Sequence, residues 1–300
     1  MKFVHFGDLH LWSPRMLWRE WYEPKRWLGR LNLTLGRAKK FPPGYRLPAI
    51  KAVTEEKADV ALFSGDFTNF SLREEFVMAA ALFEPVLEKT KGNLIAIPGN
   101  HDRYTRGSVE EGLLEHFLTF LPPEPVHVRK LGLRLSVVSV DHAVPLKIRS
   151  NGVVRDDVHQ KLEETLEKMR KTNQIVILMG HFPYTTPPEH PESWEHKLIG
   201  EETLAALVKE YKPALYVHGH KHVRWAYRPP ETPDTLCLNC GSVAMKHPDP
   251  EKQAGYLTWD MDENNGNIKN LTAKVYDGKS DWAASLLLDE RGREGDGSGE

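Results

Sequence analysis

Five short clusters of Asp, Asn and His, each opening on a glycine, punctuate this chain: Gly7-Asp8-Leu9-His10, Gly65-Asp66-Phe67-Thr68-Asn69, Gly99-Asn100-His101-Asp102, Gly180-His181 and Gly219-His220-Lys221-His222. Imidazole, amide and carboxylate donors without a thiolate suit Mn, Fe, Zn or Co and disfavour a calcium cage. A glycine ahead of each cluster lets the backbone turn sharply and approach a metal or a phosphate closely. Singly, such patterns arise often by chance. Together they ask for one common location.

The elements around them supply it. Short β-branched runs at residues 3–6, 60–64, 94–97, 175–179 and 215–217 each stop at one of these glycines, and runs at 133–140 and 235–238 have the same character. Their length and bounding turn signals read as buried strands. Helical periodicity fills 74–91, 109–121, 157–171 and 201–211, the first preceded by Ser71 as a cap. Alternation of this kind predicts an α/β fold with helices covering a sheet. In such sheets ligands bind beyond the carboxyl ends of the strands, where all five clusters lie. Two further strands, 256–260 and 268–276, flank a turn at Asn264-Asn265-Gly266-Asn267 and predict a hairpin.

Asp-x-His, Gly-Asp-x-x-Asn, Gly-Asn-His-Asp, Gly-His and Gly-His-x-His, in that order, resemble the full signature of the calcineurin-like metallophosphoesterases. The resemblance implies a four-layer fold, a two-sheet β-sandwich flanked by helices, rather than one open sheet. It implies two divalent metal ions, Mn first among Fe, Zn and Co. Asp8, His10 and His222 would hold one ion, Asn100, His181 and His220 the other, and Asp66 would bridge them. Two ions roughly 3.5–4 Å apart can clamp a phosphoryl group and turn a shared water into the attacking hydroxide. His101 would protonate the leaving group, with Asp102 orienting its ring. Arg103 and Tyr104 follow directly, and either contact a substrate phosphate or form a solvated loop.

The segment 12–46 carries four of the eight tryptophans (Trp12, Trp18, Trp21 and Trp27) and nine Lys or Arg against Glu20 and Glu23, in a chain of net charge -2. Three roles fit: a helix packed on the body with a solvated basic face, an element at a membrane interface, or a surface for a phosphate-rich ligand or nucleic acid. In character the insert resembles that of the pyrophosphatases cleaving UDP-2,3-diacylglucosamine, which implies a lipid-linked or nucleotide substrate. A small-molecule or cyclic-nucleotide phosphodiesterase fits the core motifs equally, then a nuclease. A non-catalytic scaffold of the retromer kind is disfavoured because His101 and all seven ligands are present. A globally nucleic-acid-coating protein is disfavoured by the overall charge.

The expected layout is one metallophosphoesterase domain over 1–288, with the insert at 12–46, and a disordered tail over 289–300, rich in Gly and charge. With no apolar run of membrane-spanning length and no cleavable leader, a cytoplasmic protein is expected, peripheral to the inner face of the membrane if the insert binds lipid. Cys237 and Cys240, the two cysteines, read as core packing rather than a redox pair, because positions three apart on a strand face opposite sides. His5 and His218 read as hydrogen-bonded core histidines, and His142 is open between site and core.

Overall fold

The computed structural model describes residues 1–15, 20, 23–147 and 149–288. Its strands in chain order are β1 (Lys2–Phe6), β2 (Val60–Phe63), β3 (Leu94–Ala96), β4 (Val126–Lys130), β5 (Leu135–Val140), β6 (Gly152–Val153) and β7 (Ile175–Met179). They continue with β8 (Leu198–Ile199), β9 (Leu215–His218), β10 (Arg224–Tyr227), β11 (Leu236–Cys240), β12 (Gly255–Met261), β13 (Ile268–Tyr276) and β14 (Trp282–Leu288). One six-stranded sheet has the order β14-β13-β12-β1-β2-β3, and a second has β10-β11-β9-β7-β5-β4.

Side-chain alternation explains why the sheets stack. Phe3, Leu62 and Trp259 point from the first sheet toward Val137, Ile177 and Val217 of the second, and these residues share one buried core. Val4, Phe6 and Phe63 point the other way, onto helices Arg46–Glu55 and Arg73–Lys89. Leu178 and Tyr216 likewise leave the second sheet to meet helices Asp156–Lys171 and Glu201–Tyr211. The result is the expected sandwich with a helical layer on each side.

Three details depart from the expected elements. The helix expected over 109–121 is two short ones, Arg106–Glu110 and Leu113–Phe117, because Gly112 adopts a left-handed backbone (φ 60) that ends the first and caps the second. Helix Arg46–Glu55 and strands β4, β10 and β14 were not anticipated. Within 12–46 the described residues include helix Pro24–Asn32 running into an irregular π turn, Leu33–Arg37, with a kink at Gly36 (φ 154). The tail 289–300, expected to be disordered, and the tryptophans Trp18 and Trp21 lie outside the described residues.

Candidate active site

Parallel pairing of β1 with β2 and β2 with β3 brings three strand ends to one edge of the first sheet, and β7 beside β9 does the same in the second. The loops are then stitched together: Asp8 N–H donates to Gly65 O at 2.9 Å and His10 N–H to Asp66 O at 3.0 Å. Asp8, His10, Asp66, His220 and His222 all hold positive φ, between 47 and 73, a backbone region costly for side-chain-bearing residues. Two glycines make this crowding possible. A Cβ at Gly219 would lie 2.5 Å from Asp8 Oδ2, and one at Gly99 would collide with the Asp66 carboxylate.

One donor atom from each of Asp8, His10, Asp66 and His222 lies within 4.8 Å of the others. His10 Nε2 and His222 Nε2 approach to 2.9 Å, with Asp8 Oδ1 3.2 Å from the latter. A second group adjoins the first through Asp66. His181 Nε2 lies 3.5 Å from Asp66 Oδ2 and 3.2 Å from Asn100 Oδ1. His181 Nδ1 is 2.6 Å from the Ser64 carbonyl, which can only accept, so Nδ1 carries the hydrogen and Nε2 presents a lone pair. Three lone pairs therefore point at one another, an arrangement that a cation resolves, with the Ser64 carbonyl acting as the partner that fixes the ring. By the same reasoning His220, whose Nε2 faces the His196 carbonyl at 2.8 Å, has Nδ1 left to ligate.

Electrostatics agree. Burial, then the neighbouring Asp8 and Asp102 charges, hold the Asp66 carboxyl well above the usual range. Burial also depresses His10, His181 and His220, keeping their imidazoles neutral. Crowded carboxylates and neutral imidazoles fit a divalent cation pair.

His101 stands at the mouth of this cluster, its ring 4.7 Å from that of His10. Its Nδ1 is 2.8 Å from the Asn69 carbonyl, which turns Nε2 outward. The expected role of Asp102 is thereby corrected. Its carboxylate accepts from the backbone N–H of Phe67, Thr68 and Gly99 and from Thr68 Oγ1. It ties two loops together, and Asn69 orients the imidazole. Arg103 also turns away from the metal cluster: its guanidinium pairs with Asp141 at 3.0 Å and with Glu115 at 3.0 Å. Tyr104 remains, stacked on His101 at 5.5 Å and lining the cleft.

The cleft has a volume of ≈ 670 Å³. Asp66, Asn100, His101, His220 and His222 form its floor. One wall comes from the insert. Arg26 pins that wall to the body through the Phe70 and Ser71 carbonyls, and Gly29 packs against Phe70 and Tyr104. Leu28 and Leu31 of the same helix and Leu35 of the π turn line the cleft and stay 60%, 55% and 78% exposed.

The remaining expectations resolve simply. Cys237 and Cys240 are buried and free, one beside Tyr184 and the other beside Ser64, on opposite faces of β11. His5 bonds Ser64 Oγ at 3.1 Å in the core. His142 is buried, with no hydrogen-bond partner for either ring nitrogen. Sequence reasoning missed Arg37, whose guanidinium reaches His10, His101 and Asn69.

Residues 1–224 match the family model described as calcineurin-like phosphoesterase. A comparison with curated proteins returned no match. Among solved structures, a dimetal phosphatase from Danio rerio is similar with a TM-score of 0.57 at 10% identity, over 91% of this chain and 94% of that one. The purple acid phosphatase PPD1 of yellow lupin gives 0.61 at 15% identity, over 97% of this chain and 54% of that one. PhoD gives 0.58 at 12% identity, over 100% and 72%. At such identities the likeness is one of fold.

Proposed function

The chain belongs to the calcineurin-like phosphoesterases, metal-dependent hydrolases of phosphoric esters, and from that premise we propose that it cleaves a phosphodiester or pyrophosphate whose one side carries an apolar, lipid-like group. The observation that carries this reading is the leucine wall. Leu28, Leu31 and Leu35 are exposed to solvent yet line the same cleft whose floor is Asp66, Asn100 and His101. Exposed apolar side chains scattered singly need no explanation, but three along one wall beside a polar site do. A polar head at the floor and a tail along the wall account for both halves. UDP-2,3-diacylglucosamine is one substrate of this shape; a cyclic nucleotide would leave the leucines without a use.

In this reading Asp8, His10, Asp66 and His222 would hold one cation, and Asp66, Asn100, His181 and His220 the other; such ions would supply Lewis-acid polarisation of the phosphoryl oxygens and a nucleophilic water near neutral pH. His101, held by the Asn69 carbonyl, turns Nε2 to the cleft, where the atom must first take up a proton, forming the imidazolium, before passing it to the leaving oxygen. Tyr104 limits the tilt of the ring by stacking on it.

Trp27, 54% exposed, extends the apolar face beyond the cleft, and Arg15, Lys39 and Lys40 are exposed cations of the same segment. This supports docking of the insert on the cytoplasmic face of an anionic membrane, so that a lipid-linked substrate enters from the bilayer. Among the described residues no helix is long and apolar enough to cross a membrane.

The test compares hydrolysis of UDP-2,3-diacylglucosamine and bis-p-nitrophenyl phosphate by wild type and a Leu28→Ser/Leu31→Ser/Leu35→Ser variant. Partial burial of three leucines by a chain is worth a combined KM rise of roughly 10- to 100-fold for the acylated substrate. Turnover of the small diester should be unchanged. Equal KM values for the acylated substrate would remove the lipid assignment and leave the hydrolase.

A further inference from the structure

Three cationic side chains line the cleft, Lys25, Arg37 and Lys221, and two of them are already engaged. Lys221 Nζ sits 2.9 Å from Glu192 Oε1 and 3.1 Å from the Pro191 carbonyl. Lys25 Nζ donates to the Leu146 carbonyl at 2.8 Å and lies over the Tyr104 ring. Arg37 differs. Its Nε donates to Asn69 Oδ1 at 2.7 Å and its Nη2 to His101 Nε2 at 3.2 Å, with His10 Nδ1 3.3 Å from the same nitrogen. Among the described residues it forms no ion pair, and Nη1 has no hydrogen-bond partner.

We infer that Arg37, supplied by the insert, is the side chain that grips the non-bridging phosphoryl oxygens of the substrate. The inference deepens the proposed function and rests on it. A guanidinium presents a planar fork matched to two phosphoryl oxygens, and two of its N–H groups are still available here. It lies at the boundary between the metal cluster and His101, where a phosphorus centre must sit if His101 Nε2 is to reach the leaving oxygen. A charged phosphoryl oxygen is a far stronger acceptor than a neutral imidazole nitrogen, so substrate draws Nη2 off His101 and frees Nε2 to take up and pass on a proton.

The backbone delivers Arg37 deliberately. Helix Pro24–Asn32 would carry its successors past the cleft, but the π turn Leu33–Arg37 and the Gly36 kink redirect the chain there. A φ of 154 at Gly36 is open to glycine and costly for other residues. Phe41 supports the guanidinium from behind, 5.2 Å from its ring centroid. The insert therefore does more than wall the cleft: the same segment that offers the leucines offers the phosphate ligand, which couples tail binding to head binding.

The experiment is calorimetric titration of Mn-loaded protein with inorganic phosphate, for wild type, Arg37→Met, Arg37→Lys and the exposed-charge control Lys39→Met. Thermal melts and bound-Mn analysis accompany each variant. Arg37→Met should weaken phosphate by roughly 10- to 100-fold, with Mn content and melting unchanged. Arg37→Lys, which keeps the charge without the fork, should fall between, and Lys39→Met should match wild type. Equal phosphate affinity in wild type and Arg37→Met overturns the assignment, as does an equal loss in Lys39→Met, which would make the effect a general one of charge. Wild type that binds no phosphate overturns it too. Failure of the hydrolase reading is seen separately, as absent turnover of bis-p-nitrophenyl phosphate by Mn-loaded wild type.

Discussion

Acid should unfold this protein early, and His142 allows the cause to be isolated. His5 and His142 are 0% and 1% exposed, and burial pulls both from the ordinary 6.5 to about 3. Secondary causes are the His218 charge for His5, and Arg155 and His159 for His142. In the folded chain each ring stays neutral; in the unfolded chain each takes a proton below pH 6.5. The unfolded state thus binds more protons as pH falls, so stability is full above pH 6.5 and drains away toward pH 3. Integrating to pH 5, each histidine removes about 2 kcal/mol, about 4 for the pair. That is a large share of a total of about 5–15 kcal/mol. His142→Leu isolates one such contribution, because neither ring nitrogen has a partner to lose. Urea unfolding of wild type and His142→Leu at pH 8 and pH 5 should give a stability gap about 2 kcal/mol smaller in the variant. At pH 8 the two should be close, the variant no less stable. A gap unchanged by the substitution would mean that His142 is protonated or hydrated in the native state, and the reasoning would fail.

Other consequences follow from the corrected roles. His101→Asn should lower kcat by roughly 10²–10⁴-fold for a substrate with a poor leaving group, and far less for a p-nitrophenyl ester, whose leaving group needs no proton. Asp102→Asn should act through stability instead, because the carboxylate holds the N–H groups of Phe67, Thr68 and Gly99. A loss of roughly 1–3 kcal/mol in urea unfolding is expected, without a change in the leaving-group dependence of kcat. Burial pushes the Cys237 thiol up to about 12 and Cys240 up as well, so neither should react with dithionitrobenzoate until the protein unfolds.

Much of the fold was legible because the buried strands are short, β-branched and bounded by glycine, and because each ends in a residue type with chemistry. Periodicity located the Arg73–Lys89 and Asp156–Lys171 helices to within a few residues. It failed at Gly112, where a left-handed backbone splits one apolar stripe in two. Strand β4 was hidden because its residues are only half buried and interleaved with cations. The Asp66-centred cluster could be assembled from strand ends alone. What could not be read was which group supports which. Asp102 lies next to His101 in the chain, yet its oxygens turn to the backbone of another loop, and a carbonyl, invisible in side-chain patterns, holds the imidazole. Arg37 was one of nine cations in its segment, and only the Gly36 kink, a matter of backbone geometry, singles it out. A glycine directly before an arginine is no signal for it, because Gly29-Arg30 repeats the pair seven residues earlier.

Everything in the chemistry depends on seven side chains from five loops sharing a pair of cations through Asp66. Titration of metal-stripped protein with Mn(II), following bound metal and hydrolysis of bis-p-nitrophenyl phosphate in the same samples, tests this most directly. Wild type should take up two ions per chain, with turnover rising only as the second is bound, while Asp66→Asn should bind weakly and remain inactive though folded. Full activity of the stripped protein, or of Asp66→Asn, would contradict it.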